Sequence, residues 1–201
     1  MKTRSLVVIS AGLSQPSSTR LLADRLSAAA VDQAAGLGTD LSVRVVELRD
    51  VAHDLMNHML TGFPPAALEE VIDAVSAADG IIAVTPIFNA SYSGLFKSFF
   101  DVLDKDALVD KPVVLAATGG TGRHSLALEH ALRPMFAYLR AATTATAVFA
   151  ATDDWGADDD LRTRVARAAG ELVREIDRRE PAVVTDPFAL TASFEDMLAG
   201  T

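Results

Sequence analysis

Three short stretches carry residue types that could do chemistry. Residues 10–20, SAGLSQPSSTR, set the hydroxyls of Ser10, Ser14, Ser17, Ser18 and Thr19 at the start of a helical pattern. A helix start presents unpaired N–H groups and the positive end of the helix dipole, so hydroxyl donors beside it make a cradle for phosphate. A plain N-cap needs a single hydroxyl. Residues 85–92, TPIFNASY, place apolar Ile87 and Phe88 beside the backbone N–H groups of residues 87–89. That mixture suits a flat aromatic ring with a polar edge. Residues 118–122, TGGTG, let the backbone approach a ligand closely, because glycine has no Cβ.

Other chemistries are poorly served. Gly120-Thr121-Gly122 lacks the third glycine of a dinucleotide fingerprint and follows a late strand, Gly36 and Gly38 fail the same test, and no P-loop lysine is present. No G-x-S-x-G elbow occurs. His53 and His58, or His124 and His130, lack the i,i+4 spacing of a helical metal pair. The chain has no cysteine, which excludes disulfides, thiolate metal sites and a cysteine nucleophile. With 27 acidic against 18 basic residues and a net charge of −9, it suits neither nucleic acid nor an anionic membrane. The apolar run in MKTRSLVVISAGLS is too short for a signal peptide and reads as a first strand, which implies a cytoplasmic protein.

The elements that must position these stretches alternate. Short β-branched runs predict parallel strands at 5–10, 41–48, 81–84, 113–117 and 143–150. Helical periodicity predicts helices at 18–35, 66–78, 95–103, 124–140 and 161–179. Pro86 has no N–H and biases Thr85 towards extended backbone, so the third strand is expected to break there. Residues 49–65 are the least readable; Met56, Met59, Leu60 and Phe63 could cover a ligand or a partner subunit. Strand–helix alternation implies an α/β, flavodoxin-like three-layer fold, with a five-stranded parallel sheet of order 2-1-3-4-5. Residues 1–180 form a single domain and 181–201 a tail. In that order the three chemical stretches share the carboxyl end of the sheet, where such folds bind ligands.

Taken together, residues 16–22, 83–101 and 117–139 resemble the NAD(P)H-dependent FMN reductases, specifically the sulfonate-utilisation type that feeds two-component flavin monooxygenases. The likeness covers most of residues 5–152. It implies that Ser10, Ser17 and Thr19, with Ser18 beside them, hold the FMN phosphate. Pro86, Ile87, Phe88 and Asn89 line the isoalloxazine, and Thr118, Gly119 and Gly120 contact its other edge. Arg123 is the candidate charge for the phosphates of NADPH or NADH. The implied reaction passes hydride from nicotinamide to FMN, so no protein acid or base is required and no catalytic residue is assigned. The same fold also admits an FMN-bound quinone or azo reductase, or a flavin-binding electron carrier.

The helix at 124–140 has a feature of its own. Its apolar positions, from Leu126 to Leu139, cover too much circumference for a helix exposed on one side, which suggests burial against a second subunit in a homodimer or homotetramer. Pro134 crowds the carbonyl of His130 and removes its i+4 donor, which a wider turn would relieve. The resemblance implies a one-residue insertion at His130 that forms such a bulge at a tetramer interface near the flavin.

Overall fold

The computed structural model describes residues 2–156 and 158–182. The chain runs β1 (Lys2–Ser10), α1 (Ser18–Gly36), β2 (Thr39–Glu47), α2 (Ala52–Thr61), α3 (Ala66–Ala77), β3 (Gly80–Phe88), β4 (Ser91–Tyr92), α4 (Gly94–Asp101), β5 (Pro112–Gly119), α5 (Arg133–Tyr138), β6 (Ala142–Thr143), β7 (Val148–Ala151) and α6 (Asp158–Arg178). The sheet order is β2-β1-β3-β5-β6, with β7 continuing beside β5 and β4 folded back on β3. All pairs are parallel except β3–β4. The expected 2-1-3-4-5 order therefore holds, in a flavodoxin-like fold. Of the tail, only residues 181 and 182 are described; 183–201 lie outside the described residues.

Strand alternation divides the core into two faces. Val7, Ile9, Ile81, Ala83, Val113 and Leu115 pack with α2, α3, α4 and α5. Leu6, Val8, Ile82, Val84, Val114 and Ala116 pack with α1 and α6. On the first face, Phe96 lies tilted against Phe100 with centroids 4.7 Å apart, and Phe100 meets Phe136 edge-on at 4.9 Å. Tyr92 of β4 joins these rings at 6.1 Å from Phe96, which ties the β3–β4 hairpin to the helix layer.

Two expectations need correction. The fifth strand is split into β6 and β7, because side chains capture its backbone groups. Arg133 donates to the carbonyls of Thr144 and Ala145, and Glu171 accepts from the N–H of Thr146. The third strand does not break at Pro86. Its ladder with β5 ends on the Pro86–Thr118 pair, where a missing N–H costs little, and Ile87 and Phe88 then pair with β4. Asn89 and Ala90 turn this hairpin with φ of 48° and 68°, a conformation that asparagine tolerates and alanine does not favour.

The segment after β5 is not one helix. A short 3₁₀ turn spans Gly122–His124, a π-helical turn spans Leu128–Leu132, and only then does α5 begin. The wider turn encloses His130, as the proline argument requires. Most of residues 49–65, the least readable stretch in the sequence, lies in a 3₁₀ turn (Leu48–Val51) and α2.

Candidate functional site

The loops after β1, β3 and β5 converge on one cavity of about 400 Å³ at the carboxyl end of the sheet. A larger groove of about 640 Å³ runs between α1 and α6. The smaller cavity is the candidate site, because the hydroxyl, aromatic and glycine stretches all reach it. Its wall includes Gly12, Leu13, Ser14, Ser17, Ser18 and Thr19 from the first loop. Pro86, Ile87 and Phe88 come from the second, and Thr118, Gly119 and Gly120 from the third. Among the described residues, no charged side chain lines it.

The hydroxyls are set for donation. Ser17 caps α1 and its Oγ accepts from the Arg20 N–H at 3.2 Å. Accepting there leaves its own O–H free to donate outward. Thr19 and Thr118, both buried, share a hydrogen bond of 2.8 Å between their hydroxyls. One of the two must donate to the other, so the pair keeps one O–H for a ligand. Gly12 makes room for this arrangement: a Cβ there would lie 2.1 Å from Ser17 Oγ and 3.1 Å from Thr19 Cβ. Gly119 is constrained less severely, since a Cβ would lie 2.9 Å from Phe149 Cζ.

Two cations beside the first loop are engaged elsewhere. Arg20 pairs with Asp24 at 2.8 Å and Glu47 at 2.7 Å. Its hydrogen bond to Asp24, with further help from Glu47, raises its pKa and keeps it protonated. Arg49 pairs with Glu47 at 3.0 Å and donates to the Ser14 carbonyl at 3.1 Å. With its amide oxygen assigned towards Arg49, Gln15 accepts from the same guanidinium. Arg49 therefore braces the first loop from the end of β2. A phosphate dianion in this cavity meets hydroxyls, N–H groups and the α1 dipole rather than a guanidinium.

Three expected residues are not on the cavity wall. Ser10 is fully buried, by alternation on the α1/α6 face, and its Oγ has no partner among the described residues. Asn89 sits exposed at the hairpin tip, and Arg123 is exposed in the 3₁₀ turn. Gly12, Leu13 and Ser14 join the wall from the first stretch without having been assigned a role, and Thr152 and Trp155 come from outside the three stretches, on the 3₁₀ turn Thr152–Trp155 that follows β7. In the sequence these last two residues belong to TDDW (152–155), which carries no motif that points to a ligand.

Residues 4–156 match the model of the NADPH-dependent FMN reductase family. The chain belongs to this family. The reductase is 38% identical over 170 residues to an FMN reductase (NADPH) of Pseudomonas aeruginosa, a match covering 82% of this chain and 88% of that one. It is 34% identical over 177 residues to the NADH-dependent FMN reductase SfnE of Pseudomonas putida, covering 88% and 91%. Among solved structures, an oxidoreductase from Corynebacterium diphtheriae superposes with a TM-score of 0.87 at 49% identity, covering 90% of the reductase and 100% of that chain. The apo NADH:FMN oxidoreductase EMOB gives 0.77 at 28% identity, covering 89% and 93%. The reductase is an oxidoreductase whose family works with FMN and a reduced nicotinamide dinucleotide. No helix among the described residues is long and apolar enough to cross a membrane.

Proposed function

We propose that the reductase holds FMN in the cavity described above, reduces it with NADPH or NADH, and releases reduced flavin to a flavin-dependent monooxygenase in the cytoplasm. The observation that carries this reading is the convergence of spare hydroxyl donors and an apolar wall on one uncharged cavity. Ser17, Ser18 and the Thr19–Thr118 pair would hold the phosphate. Ile87 and Phe88 would lie against the isoalloxazine, with the backbone of Gly119 and Gly120 close to its edge. The flavin, when bound, accepts a hydride from the nicotinamide. The protein's task is to align two rings, and the braced first loop and the anchored hairpin keep that wall fixed. Phe88 is 46% exposed, so the aromatic side of the cavity is open to a second ring and to flavin exchange.

Mixing the purified chain with NADPH or NADH and free FMN tests this directly. Nicotinamide absorbance should fall only when flavin is added, and the dialysed protein should be nearly colourless. A yellow cofactor that survives dialysis, with oxidation dependent on a quinone but not on added flavin, sinks the flavin-supply reading in favour of a quinone or azo reductase. Flavin binding without nicotinamide oxidation would mark an electron carrier.

The π-helical turn belongs to the same proposal. Leu126 is 62% and Tyr138 86% exposed on this segment, which suits coverage by another copy in a homodimer or homotetramer. His130 is exposed at the turn. We expect deletion of His130 to restore a regular helix, tighten FMN retention and slow transfer to a monooxygenase. Unchanged retention in the deletion variant, or a monomer by light scattering, counts against this role.

A further inference from the structure

We propose that Trp155 and Arg25 form an adenylate subsite beside the flavin cavity, which takes the AMP half of FAD. This rests on the cavity being the flavin site. Trp155, the single tryptophan of the chain, lines that cavity and remains partly exposed. The Arg25 guanidinium lies over its ring, 5.1 Å from the centroid. The turn that carries it is pinned from both sides. Asp154 Oδ2 accepts from the Ala151 N–H at 2.7 Å, and Asp154 Oδ1 pairs with Arg164 of α6 at 3.0 Å. The indole is therefore a fixed platform.

The geometry of α1 says what reaches it. Ser18, Arg25 and Asp32 recur every seven residues and so share one stripe of the helix. Ser18 lines the cavity, whereas Arg25 and Asp32 line the larger groove between α1 and α6. Seven residues of helix advance roughly 10 Å. FMN ends in a phosphomonoester; in FAD that phosphate carries a second phosphate, a ribose and adenine. A chain leaving the hydroxyl cradle along this stripe spans that distance and meets the Arg25 guanidinium laid over the indole, a paired planar surface on which a purine stacks. The groove beyond, floored by Ala28 and Ala29, has a volume of about 640 Å³.

A nicotinamide dinucleotide also carries an adenylate, but its reacting ring must reach the other side. Ile87 packs against the core face of α2 to α5, whereas Trp155 packs against the face of α1 and α6. The adenylate that leaves from the phosphate end is that of FAD.

Equilibrium dialysis of the full chain against FMN, FAD and NADPH decides the matter. The wild-type chain should bind FAD at least as tightly as FMN. Trp155→Ala should lower the FAD-to-FMN affinity ratio roughly tenfold, the scale of one lost aromatic stack. Trp155→Phe keeps a π-face and should retain most of the ratio. Arg25→Met should lower it in the same direction, which keeps the test open if the alanine variant does not fold. A ratio unchanged in Trp155→Ala and Arg25→Met overturns the subsite. An unchanged ratio with weakened NADPH binding also overturns it, and assigns the platform to the pyridine nucleotide. If the wild-type chain binds FMN but not FAD, the subsite alone fails; if it binds neither flavin, the flavin cavity fails and the subsite with it.

Discussion

Gly12→Ala is expected to weaken FMN binding by about 10- to 100-fold while affecting riboflavin much less. The added Cβ would lie 2.1 Å from Ser17 Oγ, far inside van der Waals contact. The hydroxyl can escape by rotating about χ1, and it then loses both the Arg20 N–H and its aim into the cavity. A hydrogen bond to a charged group is worth about 1.5–3 kcal/mol, which sets the expected factor. The lost N-cap adds about 1 kcal/mol of instability, visible as a lower unfolding midpoint. The contrast with riboflavin isolates the phosphate, because riboflavin lacks it and fills the same ring site. Ser17→Ala removes the hydroxyl without the clash, so the double variant should bind FMN about as well as Gly12→Ala alone. Equal losses for FMN and riboflavin would show that the first loop shapes the cavity without holding a phosphate.

Lys111→Met should produce the largest stability loss outside the apolar core, and the loss should grow with pH. Lys111 is 8% exposed at the opposite end of the sheet. Its Nζ donates to the carbonyls of Val75 at 2.7 Å and Ser76 at 2.6 Å, in the last turn of α3. These are orphan acceptors of a helix end, and methionine cannot serve them. Leaving them unserved costs about 1–3 kcal/mol each, offset in part by no longer burying a charge. Burial lowers the Lys111 pKa from 10.5 to about 8, against the opposing pull of Asp79. The unfolded chain therefore binds more protons than the folded one between pH 8 and 10.5. Stability contributed by Lys111 rises across that window, by up to about 3 kcal/mol in total, because the neutral amine still donates to both carbonyls. Below pH 8 the charged form carries its full desolvation cost. Denaturant unfolding of both proteins at pH 7 and pH 10 gives the difference in which other groups cancel. A gap that narrows with rising pH would contradict this account.

Much of the fold was legible because local pattern and topology agree. Apolar runs too short for helices, spaced by helical periodicity, leave a parallel sheet as the economical arrangement, and that order brings the loops of Ser17, Ile87 and Gly119 to one end. The bulge at His130 was legible for the same kind of reason, since Pro134 acts on a carbonyl at a known spacing. What escaped depends on groups distant in the chain. Arg133 and Glu171 split the fifth strand by taking backbone groups that a neighbouring strand would otherwise bind. Pro86 stayed in its strand because the ladder happens to end there, which only the partner strand decides. Ser10 reads as one hydroxyl among five, yet strand alternation turns it into the core. Arg49 braces the first loop and Trp155 walls the cavity from segments with no chemical signature of their own. Residue types and the order of the loops follow from the chain alone. Which of those side chains face the cavity is settled only on folding, because direction depends on alternation, capping and long-range pairing that no single segment carries.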